Sequence, residues 1–545
     1  MKKSMWLFFD IALVLLLILA AGKEALARAQ YGAQSVADLQ SSRQNSGLVV
    51  GVPHESLWNT SNQFQGGVHV LYSTSTGLTT QDNQWIDRND PGIPASALPA
   101  DWFGWALTTG DFNGDGFTDV AIGVPGADTP GYQNLGAVVI LYNSPTGINT
   151  ADSQWLDRSK ASIYGTPQDN LYFGISLASG DFNGDGYDDL AVGAPYSDTP
   201  NNKPDAGDVS VFYGSSRGLR VSVGWISSVY QDMLGRKSEV RDGFGTSLVV
   251  GDFNGDGNDD LAVGAPYEDV GDIVDAGEVD VIYGSRFGLT NRGVQWYTQN
   301  SANIAGHAEA RDRFGFALAA GNFGENDCDD LVIGVPFEDK GSISEAGMIH
   351  VLEGSPLGLS DEYWFDQNTP GIHSQAESHD QFGYALAAGD FDGDGIDDLA
   401  VGVPGEGLGN VSGAGEVDVL YGRPAGLFAL DSRWFNQGMP GIHGRPEAGD
   451  HFGRTLAAGD VNGDGIDDLA VGVPDEDIGN VDNAGGVTML YGTSSGISFI
   501  GSQWLKQGAS GLPEHPDAKD HFGFSLAIWQ SAKPYPSYLP AMMNR

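Results

Sequence analysis

The chain has 545 residues, more than one hydrophobic core usually serves, and its 79 glycines are about twice the average usage. Hydrophobic residues at 41% and aromatic residues at 10% disfavour disorder for most of the chain. With 72 acidic and 27 basic residues the formal net charge is -45, which excludes a nucleic-acid partner because binding phosphates requires clustered cations. Multivalent cations are the ligands that this charge favours.

A secretory signal is the first predicted element, in residues 1–29. Lys2 and Lys3 precede an apolar run over 11–21, and Ala27 and Ala29 supply small residues at the spacing of a cleavage site. The alternative is an uncleaved membrane anchor, against which Asp10 and the short run argue. Since no later apolar run is long enough to cross a bilayer, we expect an exported chain whose mature part has no membrane span.

Three sequence markers then recur together about every seventy residues, which identifies a repeat protein. Phe-Gly begins at Phe103, Phe173, Phe244, Phe314, Phe382, Phe452 and Phe522. Gly-Val-Pro or Gly-Ala-Pro begins at Gly51, Gly123, Gly193, Gly264, Gly334, Gly402 and Gly472. Tryptophan recurs at Trp85, Trp155, Trp225, Trp296, Trp364, Trp434 and Trp504. For these tryptophans we favour packing between repeats over a sugar-binding platform.

The third repeat predicts four short antiparallel strands and no helix. Its Phe-Gly opens a strand that ends in a polar loop, 252–260, and the run 261–265 is apolar throughout, as in a strand buried on both faces. Residues 279–283 alternate in polarity, a hairpin turn follows at 284–288, and a fourth strand ends near Trp296. One repeat therefore forms one small sheet.

The two ends of the repeat region decide between an open stack and a closed ring of sheets. The first Gly-Val-Pro, at Gly51, lacks a Phe-Gly and polar loop before it, and the last Phe-Gly, at Phe522, lacks a loop and Gly-Val-Pro after it. Joining these complementary ends removes exposed sheet edges, whereas a linear solenoid would have capping repeats. We predict an all-β seven-bladed β-propeller of four-stranded antiparallel blades over 30–530, closed by strands from both termini and followed by a tail, 531–545.

Five polar loops share the pattern D-x-[N/D]-G-D-G-x-x-D, with oxygen-bearing side chains at positions 1, 3, 5 and 9. Such ligands suit Ca²⁺, glycine at position 6 permits a sharp turn, and the variety at position 7 suits a backbone carbonyl ligand. We therefore predict about five Ca²⁺ sites. Their ligands at positions 1, 3, 5, 7 and 9 are Asp111, Asn113, Asp115, Phe117, Asp119; Asp181, Asn183, Asp185, Tyr187, Asp189; Asp252, Asn254, Asp256, Asn258, Asp260; Asp390, Asp392, Asp394, Ile396, Asp398; and Asp460, Asn462, Asp464, Ile466, Asp468.

Other interpretations of these loops fit the sequence less well. An EF-hand would carry Glu at position 12, where these loops have Ile or Val. An Asx-rich turn without an ion would leave three or four carboxylates repelling one another within nine residues. The fourth loop, 322–330, lacks Asp at positions 1 and 5 and any side chain at position 3, so we expect weak or no Ca²⁺ there and a buried thiol, not a ligand, at Cys328.

Loops that lie, by strand parity, on the opposite face are acidic as well. Those before Phe-Gly often carry His, an acid and then Asp, as in His307, Glu309 and Asp312. This pattern fits either a second metal site or cationic-ligand rim, or turn chemistry in which the Asp fixes the turn into the first strand. Two G-x-S-x-G matches, 214–218 and 492–496, coincide with the hairpin turn of the repeat, so we assign no catalytic residue. Asn59 and Asn410 begin glycosylation sequons.

Phe-Gly, the acidic loop and Gly-Ala-Pro, in this order, form the pattern of FG-GAP repeats. Over about 36–530 the chain resembles the N-terminal β-propeller of integrin α chains, bacterial secreted FG-GAP proteins, and the propeller of glycosylphosphatidylinositol-specific phospholipase D. The resemblance implies Ca²⁺ loops on a lower face, where they stiffen the blades, and a ligand surface on the opposite, upper face. The spacing never exceeds 72 residues, which leaves no room for an inserted adhesion domain, and the chain has no Arg-Gly-Asp.

From the residues and the resemblance we expect a secreted, monomeric, Ca²⁺-stabilised propeller that serves as an extracellular adhesion or ligand-binding module at the cell surface or beyond it. The expected partner is an extracellular protein or glycan on the upper face. The alternative is a secreted hydrolase, phospholipase-like or glycosidase-like, in which upper-face or channel acids perform acid–base catalysis. A third class is a structural wall or matrix component. We expect that the protein is not an enzyme.

Overall fold

The computed structural model describes residues 46–56, 63–94, 97–159, 165–199, 201, 203–222, 225–509 and 512–530. The predicted signal segment, the Asn59 sequon and the tail 531–545 lie outside the described residues. The described chain folds into seven four-stranded antiparallel sheets, the blades of the predicted propeller. Among the described residues there is no helix of the length and apolar character that a membrane span requires.

Six blades are each built from four consecutive strands, which run in order between the central axis and the rim. Blades 2 to 4 contain β4 (Leu107–Gly110), β5 (Asp119–Val124), β6 (Ala137–Tyr142), β7 (Asn149–Leu156); β8 (Ser176–Gly180), β9 (Asp189–Ala194), β10 (Asp208–Phe212), β11 (Ser228–Val229); and β12 (Ser247–Gly251), β13 (Asp260–Ala265), β14 (Glu278–Ile282), β15 (Gln295–Tyr297). Blades 5 to 7 contain β16 (Ala317–Gly321), β17 (Asp330–Val335), β18 (Met348–Glu353), β19 (Ser360–Phe365); β20 (Ala385–Gly389), β21 (Asp398–Val403), β22 (Glu416–Arg423), β23 (Gly426–Phe435); and β24 (Thr455–Gly459), β25 (Asp468–Val473), β26 (Gly486–Tyr491), β27 (Ser498–Leu505).

Blade 1 is assembled from both ends of the described chain, as the sequence predicts. Its outer strands are β1 (Gly47–Val52), β2 (Gly67–Thr74) and β3 (Gly77–Ile86), and its innermost strand is β28 (Ser525–Trp529). β28 pairs antiparallel with β1, with Ala527 opposite Val49. Side-chain hydrogen bonds join this blade to both neighbours: Ser46 Oγ donates to the Val461 carbonyl at 2.9 Å, and Thr109 Oγ1 donates to the Ile528 carbonyl at 3.1 Å.

The hydrophobic core lies between blades. Described buried side chains form seven clusters, and each cluster joins two adjacent blades, including blades 7 and 1. The second strand of every blade is buried along its whole length. The apolar runs that end in Gly-Val-Pro or Gly-Ala-Pro are therefore covered on both faces, as expected for strands sandwiched between neighbouring sheets.

Two of the sequence markers meet at every interface between blades. The glycine of Gly-Ala-Pro in one blade touches the glycine of Phe-Gly in the next: a Cβ on Gly264 would lie 2.3 Å from the Gly315 carbonyl oxygen. Gly315 also has a φ of 85°, which favours glycine. The same contact occurs at all seven interfaces, including that between Gly472 and Gly523. Glycine recurs at both positions because the two backbones are in direct contact there.

Blade 3 departs from the tryptophan pattern. In six blades the periodic tryptophan lies opposite the third residue of the third strand, as Trp155 lies opposite Val139. In blade 3 that place is taken by Ser228, while Trp225 packs edge-on against Tyr213 with ring centroids 4.7 Å apart. β11 has only two residues, and a 3-10 helix, Gln231–Leu234, follows it. The outer strand of blade 3 thus has a different register, although its tryptophan keeps the spacing of the repeat.

Removing β28 should open the propeller. A chain that ends before Ser525 leaves β1 with an unpaired edge and exposes the core between blades 7 and 1, so we expect oligomers or aggregates. Size-exclusion chromatography with light scattering measures this. A chain that ends after Gln530 keeps the strand and serves as the matched control, which we expect to behave as the full chain does. A monomeric, equally stable product from the shorter chain would contradict closure by β28.

Candidate metal centres and the upper face

The five predicted loops join the innermost strand to the second strand, all at the same end of the blades, which we call the lower face. In the blade 2 loop both oxygens of Asp111 accept backbone N–H groups, Oδ1 from Asp115 at 3.1 Å and Oδ2 from Gly116 at 2.8 Å. The same two bonds form at position 1 of the other four loops. The position 1 carboxylate therefore shapes the loop, and its Oδ2, which accepts one N–H, keeps a further lone pair.

The position 9 carboxylates are buried at the start of the second strand. Oδ2 of Asp119 accepts the Phe112 N–H at 3.2 Å, and Oδ1 accepts the Asn143 N–H at 2.9 Å, a pattern repeated in the other loops. Burial, with added repulsion from neighbouring loop carboxylates, raises the pKa of Asp119, Asp189, Asp260 and Asp398 to about 8 and that of Asp468 to about 7. A cation bound in the loop would offset this repulsion and favour the ionised carboxylates.

Three predicted ligands converge in blade 6. Asp390, Asp392 and Asp398 each present an oxygen within 4.8 Å of the other two, the one such group of three acidic or histidine side chains in the described part of the chain. In the other four loops position 3 is Asn, and Asn183, for example, turns its amide Nδ2 toward Asp189 at 3.1 Å. Position 5 is more exposed, and its Oδ1 accepts the position 7 N–H, as Asp115 does from Phe117 at 3.0 Å.

The extra acid of the blade 6 loop is matched by a basic residue. Arg423 Nη1 lies 3.2 Å from Asp392 and 3.3 Å from an oxygen of Asp394. The equivalent hairpin residue is Ser or Thr in blades 2 to 5 and 7. Arg423 therefore supplies positive charge to two predicted ligands of this loop.

The loop of blade 5 departs from the others, as its sequence indicates. Asn322, at position 1, donates its amide to the Asn326 carbonyl, and the Cys328 N–H donates to Asn326 Oδ1 at 2.8 Å. Cys328 is buried and lies against Gly255 of the neighbouring loop. Side-chain amides thus hold this loop where carboxylates hold the others, and the weak or absent Ca²⁺ binding expected here stays a prediction.

Sequence reasoning missed the role of position 8. Asp188, in the blade 3 loop, accepts the N–H of Asp111 in the blade 2 loop at 2.6 Å, and its own N–H donates to the Asp111 carbonyl at 3.1 Å. The same two-way link joins each later pair of loops from blade 3 to blade 7. Asp at position 8 in five of six loops was the available signal. These links connect the candidate metal loops directly around the lower face.

Buried and half-buried glutamates form a second set of links near the upper face. Each accepts a hydrogen bond of 2.6 to 2.8 Å from a glutamine of the preceding blade. The pairs are Glu55 with Gln507, Glu268 with Gln231, Glu338 with Gln299, Glu406 with Gln367, and Glu476 with Gln437. At the other two interfaces Arg88 and Arg158 occupy the glutamine position and pair with Asp101 and Asp208.

The aspartates before Phe-Gly have a turn role in the structure. Oδ2 of Asp450 accepts the N–H of Glu447 three residues earlier at 2.5 Å, and five other blades make the same bond. Their carboxylates are buried beside the glutamates just described, and burial raises the pKa of Asp312, Asp380 and Asp450 to about 6. These acids fix the chain path into the innermost strand.

Half-buried and exposed aromatic rings form a continuous strip across the upper face of blades 1 to 3. Trp102 stacks on Tyr172 with ring centroids 5.8 Å apart, and Tyr172 contacts the exposed Tyr196 at 5.4 Å. On the other side Trp102 contacts Trp105, whose ring centroid lies 4.7 Å from that of Phe524. We call these five residues the aromatic strip. Such rings offer a large contact area with little conformational entropy to lose on binding.

A charged cluster continues the strip toward blade 7. Asp475 contacts Nδ1 of His451 at 2.8 Å, Nη1 of Arg454 at 2.5 Å and Nδ1 of His521 at 3.1 Å. Although burial acts in the opposite direction, hydrogen bonds from the two histidines and the Arg454 charge hold the pKa of Asp475 well below its usual range. Asp475 is therefore ionised, and His54 joins its cluster to the strip through ring contacts with His521 and Phe524.

Five segments of the chain match a family model described as FG-GAP repeat: 103–141, 173–212, 244–282, 382–420 and 452–489. They are the segments that contain the five intact loops. Each runs from the Phe-Gly into the third strand of its blade.

Two curated relatives match parts of the chain. Phosphatidylinositol-glycan-specific phospholipase D of Homo sapiens is 36% identical over 171 residues, which are 31% of this chain and 19% of that protein. Integrin alpha-PS2 of Drosophila melanogaster is 32% identical over 271 residues, 49% of this chain and 17% of that protein. The chain thus spans about a fifth of the length of these relatives. A solved periplasmic gluconolactonase of Pseudomonas aeruginosa covers 89% of this chain and 99% of its own at 14% identity and a TM-score of 0.44, too distant to inform function.

Stability of the cation-free protein should fall as the pH rises. The raised pKa values of buried acids, about 8 for Asp189 and Glu406, mean that the folded state holds more protons than the unfolded state between about pH 4.5 and pH 8. Stability from these groups is present below that range and lost through it. In EDTA we expect a melting temperature at least about 5 °C higher near pH 5.5 than near pH 8.5. A melting temperature that rises with pH would contradict this reading.

Proposed function

Because the chain is an FG-GAP repeat protein with a seven-bladed propeller related to that of integrin α chains, we propose that it is a secreted, Ca²⁺-binding propeller that recognises a protein or glycan outside the cell. The observation that carries the proposal is the two-faced arrangement of the fold. Carboxylate loops lie at one end of the blades, and the aromatic strip with the Asp475 cluster lies at the other.

The lower-face residues fit Ca²⁺ in donor chemistry. Positions 1, 3, 5 and 9 offer only oxygen atoms, and a carbonyl at position 7 would add another, which suits an ion that takes six to eight oxygen ligands. In blade 6 Asp390, Asp392 and Asp398 already converge. Because position 8 links each loop to the preceding one, an ion that rigidifies one loop would also steady its neighbour.

An extracellular location agrees with these sites. Calcium modules that work outside cells bind the ion at about 10⁻⁴ to 10⁻³ M, a range that the cytosol does not reach. Residues 1–29 carry the pattern of a secretory signal. Five bound Ca²⁺ ions would add ten positive charges to the net charge of -45. Export thus supplies the cation that the acidic loops favour.

The upper face supplies the proposed recognition surface. The aromatic strip presents faces of Trp and Tyr beside the carboxylate, imidazoles and guanidinium of the Asp475 cluster. Flat apolar rings next to fixed polar groups suit both sugar rings and protein side chains. The surface is assembled from loops of four blades, so its geometry depends on the closed ring.

A secreted hydrolase is the second candidate. The Asp475 cluster favours it, because a carboxylate hydrogen-bonded to Nδ1 of His451 orients an imidazole as a general base requires. A hydrolase would turn over a phosphodiester or glycoside, whereas a binding module would only retain its ligand.

Chelation tests the calcium proposal. We expect EDTA to lower the melting temperature near pH 7.5 by at least about 5 °C and Ca²⁺ to restore it more fully than Mg²⁺, because Mg²⁺ demands a tighter octahedral site. An Asp390→Asn, Asp398→Asn double variant should bind one Ca²⁺ fewer than the unmodified chain in equilibrium dialysis. Identical melting curves with and without chelator would overturn the proposal.

Glycan and cell-surface protein arrays test the recognition proposal. We expect Ca²⁺-dependent binding that falls at least about tenfold when Trp102 and Trp105 are replaced by Ala, since each ring contributes on the order of 1 kcal/mol or more. Replacement of the exposed Leu357, which lies in a lower-face hairpin, is the matched control. Turnover of chromogenic phosphodiesters or glycosides that disappears in Asp475→Asn would instead favour the hydrolase, and an array without binding would count against the module.

A further inference from the structure

The first residue of the third strand is acidic in three blades. These residues are Asp208 in blade 3, Glu278 in blade 4 and Glu416 in blade 6. Each carboxylate is buried and lies near the upper face at the interface with the preceding blade. A buried carboxylate is costly unless a positive group compensates it. The three blades therefore pose the same electrostatic problem, and their solutions can be compared.

In blades 3 and 4 the chain provides a guanidinium. Arg158 reaches from blade 2 to Asp208, and its Nη2 also donates to Ser210 at 2.9 Å. In blade 4 Arg236 Nε donates to Glu278 at 3.0 Å, and its Nη2 contacts the second carboxylate oxygen. The Arg236 guanidinium also lies over the ring of Trp296, 4.6 Å from its centroid. Both acids are thus compensated within the fold.

Blade 6 has a serine where blade 4 has this arginine. Ser374 lies eight residues before its Phe-Gly, as Arg236 does, and its Oγ donates to Glu416 at 2.5 Å. The other Glu416 oxygen accepts from Asn436 Nδ2 at 3.0 Å. The ring of His373 stacks on Trp434 at 3.7 Å, the tryptophan equivalent to Trp296. Over the described residues, Glu416 thus has two neutral donors where Asp208 and Glu278 have an arginine.

Two further carboxylates increase the negative charge at this place, as the equivalent Glu268 and Asp280 do in blade 4, where Arg236 acts on Asp280. Asp418, two residues along the same strand face, has 0% of its surface exposed, and neither of its oxygens has a hydrogen-bond partner among the described residues. Glu406 is also buried, and among the described residues it accepts a hydrogen bond from the neutral Gln367. The charged groups that act most strongly on Asp418 are Glu416 and Glu406, both negative. We call Glu406, Glu416, Asp418 and Ser374 the acid pocket.

We propose that the acid pocket binds a divalent metal cation of the Ca²⁺ class, which does for blade 6 what the Arg236 guanidinium does for blade 4. The donors around it are oxygen atoms, which hard cations prefer. Three carboxylates favour a divalent ion over a monovalent one, and the ion would draw closer together their oxygens, which do not all lie within 4.8 Å of one another. This site lies near the upper face between blades 5 and 6, apart from the lower-face loops, and does not depend on them.

Exchange of the two equivalent residues tests the proposal on the full-length protein. Ser374→Arg should place a guanidinium in the acid pocket and lower the number of Ca²⁺ ions bound per chain by one. Asp418→Asn, which keeps the shape and removes the unpaired charge, should do the same. Conversely, Arg236→Ser should create an equivalent pocket in blade 4 and raise the count by one. Equilibrium dialysis with elemental analysis gives the counts, and circular dichroism verifies the fold.

A second measurement separates this ion from those of the lower-face loops. Tb³⁺ bound in the pocket lies beside Trp434, so emission excited through tryptophan should fall in Ser374→Arg and Asp418→Asn but persist in the Asp390→Asn, Asp398→Asn variant. The loop variant loses its own ion whether or not the pocket is filled, so the two proposals fail independently. If the ion count and the emission are the same in the unmodified chain, Ser374→Arg and Asp418→Asn, the pocket is neutralised by protons and the proposal is wrong.

Discussion

Direct backbone contact between glycines sets the spacing of the blades. At each interface the glycine of Gly-Ala-Pro touches the glycine of the next Phe-Gly, and a Cβ on Gly193 would lie 2.3 Å from the Gly245 carbonyl oxygen. Sheets held this close bury both faces of every second strand and bring the ends of neighbouring blades within hydrogen-bond distance. The ring, the loop-to-loop links of the lower face and the glutamine–glutamate pairs near the upper face all follow from that distance.

Close packing of the blades in so acidic a chain also brings carboxylates together. Several kinds of hydrogen-bond and ion-pair partner stabilise them. Loop N–H groups hold position 1, glutamines hold the upper glutamates, and arginines hold Asp101 and Asp208. At five interfaces between blades a glutamine faces a glutamate. At the other two, between blades 1 and 2 and between blades 2 and 3, arginine replaces the glutamine, and Ala127 or Ser197 replaces the glutamate. The two positions change together. An arginine that faces a neutral residue needs another carboxylate as its partner, Asp101 or Asp208. A glutamine that faces a glutamate leaves the glutamate charge uncompensated, and burial then favours protonation of that glutamate.

The sequence allowed the fold to be predicted in unusual detail because its repeats expose both periodicity and boundaries. The missing half-repeats at the two ends predicted the composite blade that β1 and β28 form. The strand register of blade 3 could not be predicted in this way. Trp225 keeps the seventy-residue spacing, yet Ser228 occupies the position in the sheet that tryptophan has in the other blades. The candidate loops could be identified from alternating oxygen ligands, but position 8 looked free because its partner, a backbone N–H one repeat earlier, is not encoded in any local pattern. Arg423 was missed for the same reason.

Within one chain the blades act as matched experiments on the same backbone position. Asp208, Glu278 and Glu416 occupy equivalent places, so the difference between Arg236 and Ser374 isolates the effect of one side chain on one buried acid. Two acids with guanidinium partners show what the position requires, and the third has hydroxyl and amide donors that satisfy hydrogen bonds but not charge. Asp418 and Asp280 are both fully buried beside these glutamates, but a guanidinium acts on Asp280 alone. An ion from solvent is the partner that restores to blade 6 the compensation seen in its two siblings.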